Sequence, residues 1–306
     1  MMKNNRIIIL VKDNQKIIEK ALKYSFKQAD IITVPESYTP FDREKLATKI
    51  NNDYTQVVFY GYYDQFYLLL PLINKKVIKK YILDVGIAEF AEQYIFTNFQ
   101  QIIEYKERGL IDYIATIRYD LYIAFKDSIS YIKLDYKSSN KQEDNDSVGI
   151  LNEYYLENSN FYNQLSGIAL SKIKKATVLN QDVITKKFGE DFEVEIDEEK
   201  DIEKLIYKNR VNLDCRFCDV SDIYFLMSMD AEIPCILGNT NLLDNCEELK
   251  KYLVLKCDDD VNEIKDKIEI CLEKAKEINK LYLSWKKDYS NYSKKTIDDF
   301  TKLGGC

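Results

Sequence analysis

The 306-residue chain contains no histidine. Its absence removes the side chain most often used as general base and metal ligand, so any acid–base step must fall to Asp, Glu, Tyr, Lys or Cys. There is no basic excess either. Lys and Arg total 44 against 51 Asp and Glu, a formal net charge of −7, which argues against general nucleic-acid binding because neutralising phosphates takes a basic surface. No apolar run has the length of a membrane span. The N-terminal run from Ile7 to Val11 is too short for a signal-peptide core and is followed at once by 12-KDNQKIIEK-20, so a cytoplasmic location is expected. Seven cysteines without an export signal read as reduced thiols. Cys215 and Cys218 form a CxxC with no second pair, which reads as two small residues at a strand end rather than as zinc or redox chemistry. The 24 tyrosines, with abundant Ile, Lys and Asn, are a compositional bias and receive no functional weight.

What the chain does have is alternation. Short Ile- and Val-rich runs at 6-RIIILV-11, 29-ADIITV-34, 56-QVVFYG-61, 79-KKYILDV-85, 111-IDYIATI-117 and 130-SYIKLDY-136 are separated by segments of helical period. Near-continuous apolar strands between helices predict a parallel sheet covered on both faces. The segment 137-KSSNKQEDNDS-147 then contains no apolar residue, as an exposed linker does. Beyond it the alternation resumes, with strands expected at 148-VGIL-151, 176-ATVLN-180, 192-FEVEI-196, 211-VNLDC-215, 233-IPCIL-237 and 252-YLVLK-256. Helices are expected at 160–173, 199–208, 221–231 and 244–251, and the chain after 256 reads as entirely helical. Two α/β domains follow: an N-terminal one over 1–136, a linker at 137–147, a second over 148–280 and closing helices over 281–306. Such a Rossmann-like pair predicts a ligand cleft between its halves.

Three local patterns bear on chemistry. Asp258, Asp259 and Asp260 precede a helix, where carboxylates cap orphan N–H groups and favour the positive dipole end; a metal-binding cluster is the minor alternative. Gly149 stands where a first strand and its loop pass close to a ligand, and glycine permits close backbone approach. In 218-CDVSD-222 the helix amides would be capped by Asp219, Ser221 or Asp222, and such a helix start can also hold a phosphate or a ribose.

The segment 211-VNLDCRFCDVSDIYFLMSMDAEIPCILGN-239 resembles the C-terminal half of GT-B-fold glycosyltransferases, matching at Ser221 and at 233-IPCILGN-239. Upstream, 148-VGILNEYYLENSNFYNQLSGIAL-170 resembles their first strand and helix, with Asn160 and Gln164 matching. The segments 101–121 and 284–300 are similar to a helix and strand of the N-terminal half and to the closing helices. The resemblance implies two Rossmann-like domains facing a cleft, with C-terminal helices returning to the N-domain. It also implies transfer of a sugar from a nucleotide-sugar donor to a glycan or protein acceptor, with no metal or other cofactor. By the same resemblance Asp219, Ser221 and Asp222 fall at the donor's ribose and diphosphate, and Gly149 and Asn160 at the facing loop. Arg118 and Arg216 are the surviving cations, and Asp84 is the acceptor base where the family commonly has histidine. Three departures stand together: the family's phosphate-binding Lys is Ser159, the Glu that grips the ribose is Met227, and the N-domain His is Asp84. They leave open an alternative, a catalytically inactive subunit that stabilises or positions an active partner glycosyltransferase; a sugar-nucleotide enzyme such as an epimerase is a third.

Overall fold

The structure, a computed structural model, describes residues 6–138, 146–151, 160–179, 191–196, 202–216 and 222–304. The chain divides into one compact unit comprising 1–135 with 291–306 and a second comprising 136–290.

The first unit is built on a parallel sheet of β1 (Ile7–Lys12), β2 (Ala29–Val34), β3 (Gln56–Tyr60), β4 (Ile78–Leu83), β5 (Tyr113–Thr116) and β6 (Ser130–Tyr131), in the order β2-β1-β3-β4-β5-β6. After α1 (Lys16–Ser25), which follows β1, come the helices against which Ile8, Leu10, Val57, Phe59, Tyr81 and Leu83 are buried on one face, among them α2 (Pro40–Asp53), α3 (Asp64–Leu69) and α4 (Gln93–Glu107). The start of α2 is written locally. Thr39 accepts from the Asp42 amide at 3.2 Å while the Asp42 carboxylate accepts from the Thr39 amide at 3.0 Å, with Pro40 in the first turn. The expected strand 130–136 pairs over only two residues. After Ile132, whose amide still donates to the Thr116 carbonyl at 3.0 Å, the backbone bonds to side chains: Lys133 N–H donates to Thr296 Oγ1 at 3.1 Å and Asp135 N–H to Ser25 Oγ at 2.8 Å.

The second unit holds a parallel sheet of β7 (Val148–Ile150), β8 (Lys175–Val178), β9 (Glu193–Ile196), β10 (Val211–Asp214) and β11 (Cys235–Leu237), in the order β11-β10-β7-β8-β9. Its helices include α6 (Phe161–Leu170), α7 (Ile202–Lys208), α8 (Asp222–Asp230) and α9 (Glu247–Leu253). The strand expected at 252–256 is corrected here. Leu249 and Leu253 are buried one helical turn apart, so α9 runs to Leu253, and only Val254 bridges to Leu237. The chain then enters one long helix, α10 (Val261–Lys302), where Asp260 accepts from the amides of Asn262 and Glu263 at 2.9 and 3.2 Å. Asp260 therefore acts as the cap anticipated for the acidic triplet.

From residue 291 onward α10 belongs to the first unit. Gln56 Nε2 donates to the Thr301 carbonyl at 3.0 Å, and the buried Lys80 ammonium donates to the carbonyls of Phe300 and Thr301 at 2.5 and 3.1 Å. The Phe300 and Tyr113 rings flank the same ammonium at 5.0 and 5.8 Å. These last carbonyls lack helical partners, so a lysine here also meets the negative end of the helix. Burial pulls Lys80 from 10.5 down to about 8, with Asp112 opposing. The unfolded chain consequently holds this proton up to a higher pH than the folded one, and the Lys80 contribution to stability rises with pH between about 8 and 10.5. Chemical denaturation across that window, wild type minus Lys80→Met, should show the rise; a flat difference would refute it.

Candidate active site

Both sheets are parallel, so within each unit the carboxyl ends of the strands share one edge, the edge at which α/β sheets bind ligands. On the first unit Asp84 follows directly after β4, and Arg118 lies just past the end of β5. Thr116 joins the two strand ends, donating its hydroxyl to the Leu83 carbonyl at 3.1 Å and accepting from the Arg118 amide at 3.0 Å. The Arg118 guanidinium is buried and pairs with Glu89 Oε1 at 3.4 Å, Glu89 standing on a 3-10 turn, Ile87–Ala91. Asp120, at the start of α5 (Tyr119–Phe125), accepts from the Ile87 amide at 2.7 Å. Gly86 fits between these groups because a Cβ there would stand 2.6 Å from Asp120 Oδ2 and 2.9 Å from Arg118 Nη2.

The Asp84 carboxyl is half-buried, and its proton affinity is raised to about 6, chiefly by burial and then by Glu89, with Arg118 opposing. At Gly61, which has φ +74°, an added Cβ would lie 3.3 Å from Asp84 Oδ2, so the glycine supplies both the left-handed turn and the clearance. The neighbouring Tyr62 phenol is pushed up by burial, with Tyr67 and Asp84 adding to it. The structure therefore brings Asp84 and Arg118 to one edge, as the sequence reading paired them. It adds Glu89 and Asp120, which that reading missed; the glycine in 84-DVG-86 and the spacing of 118-RYD-120 were the only local signals.

The second edge is described in part, because Ser159, Cys218, Asp219 and Ser221 lie outside the described residues. Asn160, at φ 53°, precedes α6 and donates through Nδ2 to the carbonyls of Cys215, at 2.9 Å, and of Asp258. Gln164 accepts from the Cys215 amide at 3.3 Å, and Asp258 accepts from the Asn239 amide at 2.6 Å. Asn160 and Gln164 thus tie the end of β10 to the residues before α10, and Asp258 carries the tie on to Asn239 past β11. Cys215 is buried, which pushes its thiol well up, as befits a packed thiol rather than a reactive one.

Gly149 lies within β7, in the strand expected at 148–151, and a Cβ there would stand 2.3 Å from Asn209 Nδ2 and 2.4 Å from Asn212 Oδ1. The missing side chain makes room for a buried amide network: Asn209 donates to Asn212 at 3.1 Å, and Asn212 donates to Ser228 at 2.9 Å and to the Ile206 carbonyl at 2.9 Å. Arg216 does not stand free. Its Nε and Nη2 donate to the two carboxylate oxygens of buried Asp214 at 2.7 and 2.9 Å. Asp222, in the first turn of α8, has one carboxylate oxygen taken by the Tyr289 hydroxyl at 2.8 Å. Met227, where the family's ribose-gripping Glu would fall, is fully buried. Among the described residues no group of three His, Cys, Asp or Glu could hold a metal ion, and no helix is long and apolar enough to cross a membrane.

No family model matches the chain, and no curated protein sequence does. Similarity appears among solved structures. Anabaena Alr3699/HepE in complex with UDP-glucose superposes with a TM-score of 0.65 at 8% identity, covering 98% of this chain and 99% of that one. A glycosyltransferase from Rickettsia africae ESF-5 superposes with a TM-score of 0.56 at 11% identity, covering 99% and 100%. An alpha-glucosyltransferase in complex with UDP and a 13-mer DNA gives 0.57 at 10% identity, covering 97% and 95%. Two Rossmann-like units, a C-terminal helix that ends on the first of them, and superposition along nearly the whole length of these structures give the chain the GT-B fold.

Proposed function

We propose that the chain transfers a sugar from a nucleotide-sugar donor to a hydroxyl of a glycan or protein acceptor. The observation that carries this reading is the Asp84 centre: a half-buried carboxylate at the carboxyl edge of a parallel sheet, raised to about 6, with Arg118 beside it. A general base works best when its proton affinity lies near the working pH, and in a chain without histidine a carboxylate raised toward neutrality can take that part. Asp84 takes the proton from the acceptor hydroxyl as that oxygen bonds to the anomeric carbon, and the nucleoside diphosphate leaves with the bonding pair. Arg118 supplies positive charge at the same edge.

The donor side is assigned to the second unit, with Asp219, Ser221 and Asp222 at the start of α8 and Asn160 at the start of α6. Fold-level likeness to structures holding UDP-glucose and UDP supports a uridine nucleotide as the first candidate. Helix N-termini meet the diphosphate in this reading, so no metal is called for, and the protein works in the cytoplasm. Buried Met227 and the engagement of Arg216 by Asp214 favour a second reading, a non-catalytic subunit for a partner glycosyltransferase.

Thermal shift and calorimetry against UDP-, GDP-, ADP-, CMP- and dTDP-sugars separate the two. A donor at 100 times its Kd stabilises the folded state by about 2.7 kcal/mol, and one member of the panel is expected to do so. Silence from the whole panel at millimolar concentration would overturn the transferase reading and send the search to a pull-down of the partner.

A further inference from the structure

The second unit carries a cavity that the reaction described above does not use. It has a volume of about 830 Å³ and lies between α9 and the first turns of α10, within the range of about 300–1,000 Å³ that suits a small-molecule ligand. From α10 it takes Glu263, Asp266, Lys267 and Ile270, positions that share one helix face. Opposite them stand Lys250 and Lys251 of α9 and the buried Val254 and Leu255 that follow it. Val254 bridges to Leu237 of β11, the outermost strand of its sheet. The donor, in contrast, is assigned to the segments after β7 and β10, and neither Asn160 nor Asp222 lines this cavity.

The charges around it are unequally engaged. The Glu263 carboxylate accepts from the Lys256 amide at 3.0 Å and the Cys257 amide at 3.1 Å, and Asp266 pairs with Lys265 at 3.2 Å. Lys250 pairs with Asp244 at 2.6 Å, while Glu247 and Glu248 occupy the far end of α9, in its first turn. Three cations remain at the other end, Lys251, Lys256 and Lys267, and among the described residues none of their ammoniums meets a carboxylate. Lys267 is only 7% exposed, and its ammonium donates to the Lys251 carbonyl. An ammonium has three donors, so two are left open, and a buried cation is costly until it is paired. Burial pulls the Lys267 proton affinity down, Glu263 opposing and the nearby Lys256 and Lys251 adding to the fall.

We propose that this cavity binds a small phosphate monoester, its phosphate held by Lys251, Lys256 and Lys267 and its organic part lying against Val254, Leu255 and Ile270. The inference is independent of the transferase reading. A phosphate ester brings about −1.5 to −2 charges and three acceptor oxygens, more than a carboxylate offers to three cations, and lysine meets phosphate as a point charge with little demand on orientation. Bare phosphate would leave the apolar wall wet, so the ester is the better ligand.

Calorimetry of the full-length protein with inorganic phosphate and with phenyl phosphate tests this. Phenyl phosphate is expected to bind the more tightly of the two. The double variant Lys251→Gln with Lys256→Gln changes two exposed side chains, and its affinity for both anions should fall about tenfold or more. Ile270→Ser, also at an exposed position, should weaken phenyl phosphate alone. Unchanged urea midpoints establish that the variants are folded. Silence from both anions at millimolar concentration overturns the proposal. So does binding that the double variant leaves intact, because the anion then sits elsewhere, the donor edge included. Equal affinity for the two anions overturns it as well, since the apolar wall would have no part. Binding of phenyl phosphate through the lysines in a protein that binds no nucleotide sugar upholds the cavity and removes only the proposed activity.

Discussion

Asp84→Asn is expected to lower turnover by about 10²–10⁴-fold, the usual contribution of a positioned general base, while leaving the Kd for the nucleotide sugar unchanged. The separation follows from location. Asp84 belongs to the first unit and the donor is assigned to the second, so the amide removes a proton acceptor without touching a donor ligand. In the wild type the rate should fall as the pH drops through about 6, where the carboxylate becomes protonated and can no longer take the acceptor's proton. A stability measurement gives a second, independent check. The folded-state affinity of Asp84 lies above its ordinary 3.8, so the folded protein holds the proton longer than the unfolded one, and this residue's contribution to stability falls as pH rises from about 3.8 to about 6. Asp84→Asn should therefore be more stable than wild type at neutral pH and lose that advantage near pH 4. Unchanged turnover would end the assignment of Asp84 as base. An advantage that persists unaltered at pH 4 would mean that the raised affinity does not reflect burial of the charge.

The strands were the most legible part of the sequence, because fully covered parallel strands leave apolar runs such as 56-QVVFYG-61 that need no partner to recognise. Asp84 and Arg118 could be read for the same reason: each is a charged residue at the end of such a run. What brings them together is the sheet order, in which β4 and β5 are neighbours, and no local pattern encodes that adjacency. Glu89 and Asp120 were hidden because their roles depend on a turn whose geometry is set by contacts between separate segments. The surroundings of Gly149 were hidden for a related reason: the atoms that fill the place of its missing side chain belong to Asn209 and Asn212, far along the chain. The strand expected at 252–256 failed because Tyr252 and Leu253 close a helix whose buried leucines, Leu249 and Leu253, share one face. The run meets the sheet edge only through the Val254 bridge to Leu237 and the Leu255 amide, which donates to the Leu237 carbonyl at 3.0 Å, and an apolar run this short is ambiguous between helix and strand until its packing partner is known.

Arg216→Met is expected to destabilise the second unit by about 3–5 kcal/mol, because it removes the bidentate partner of a carboxylate that is fully buried. Burying an uncompensated charge is far costlier than losing an exposed cation, which typically changes stability by about 0.5 kcal/mol or less. The alternative assignment, Arg216 as a free cation for the donor diphosphate, predicts the reverse pattern: a small change in stability and a large loss of donor affinity. Urea denaturation of the single variant measures the first quantity. The double variant Asp214→Asn with Arg216→Met then separates the two roles, since replacing both members of a buried pair is often close to neutral. If the pair serves the fold, the double variant regains most of the lost stability and binds the nucleotide sugar as the wild type does. If it refolds and still fails to bind, Arg216 touches the diphosphate, and the salt bridge with Asp214 is the means by which the fold presents it.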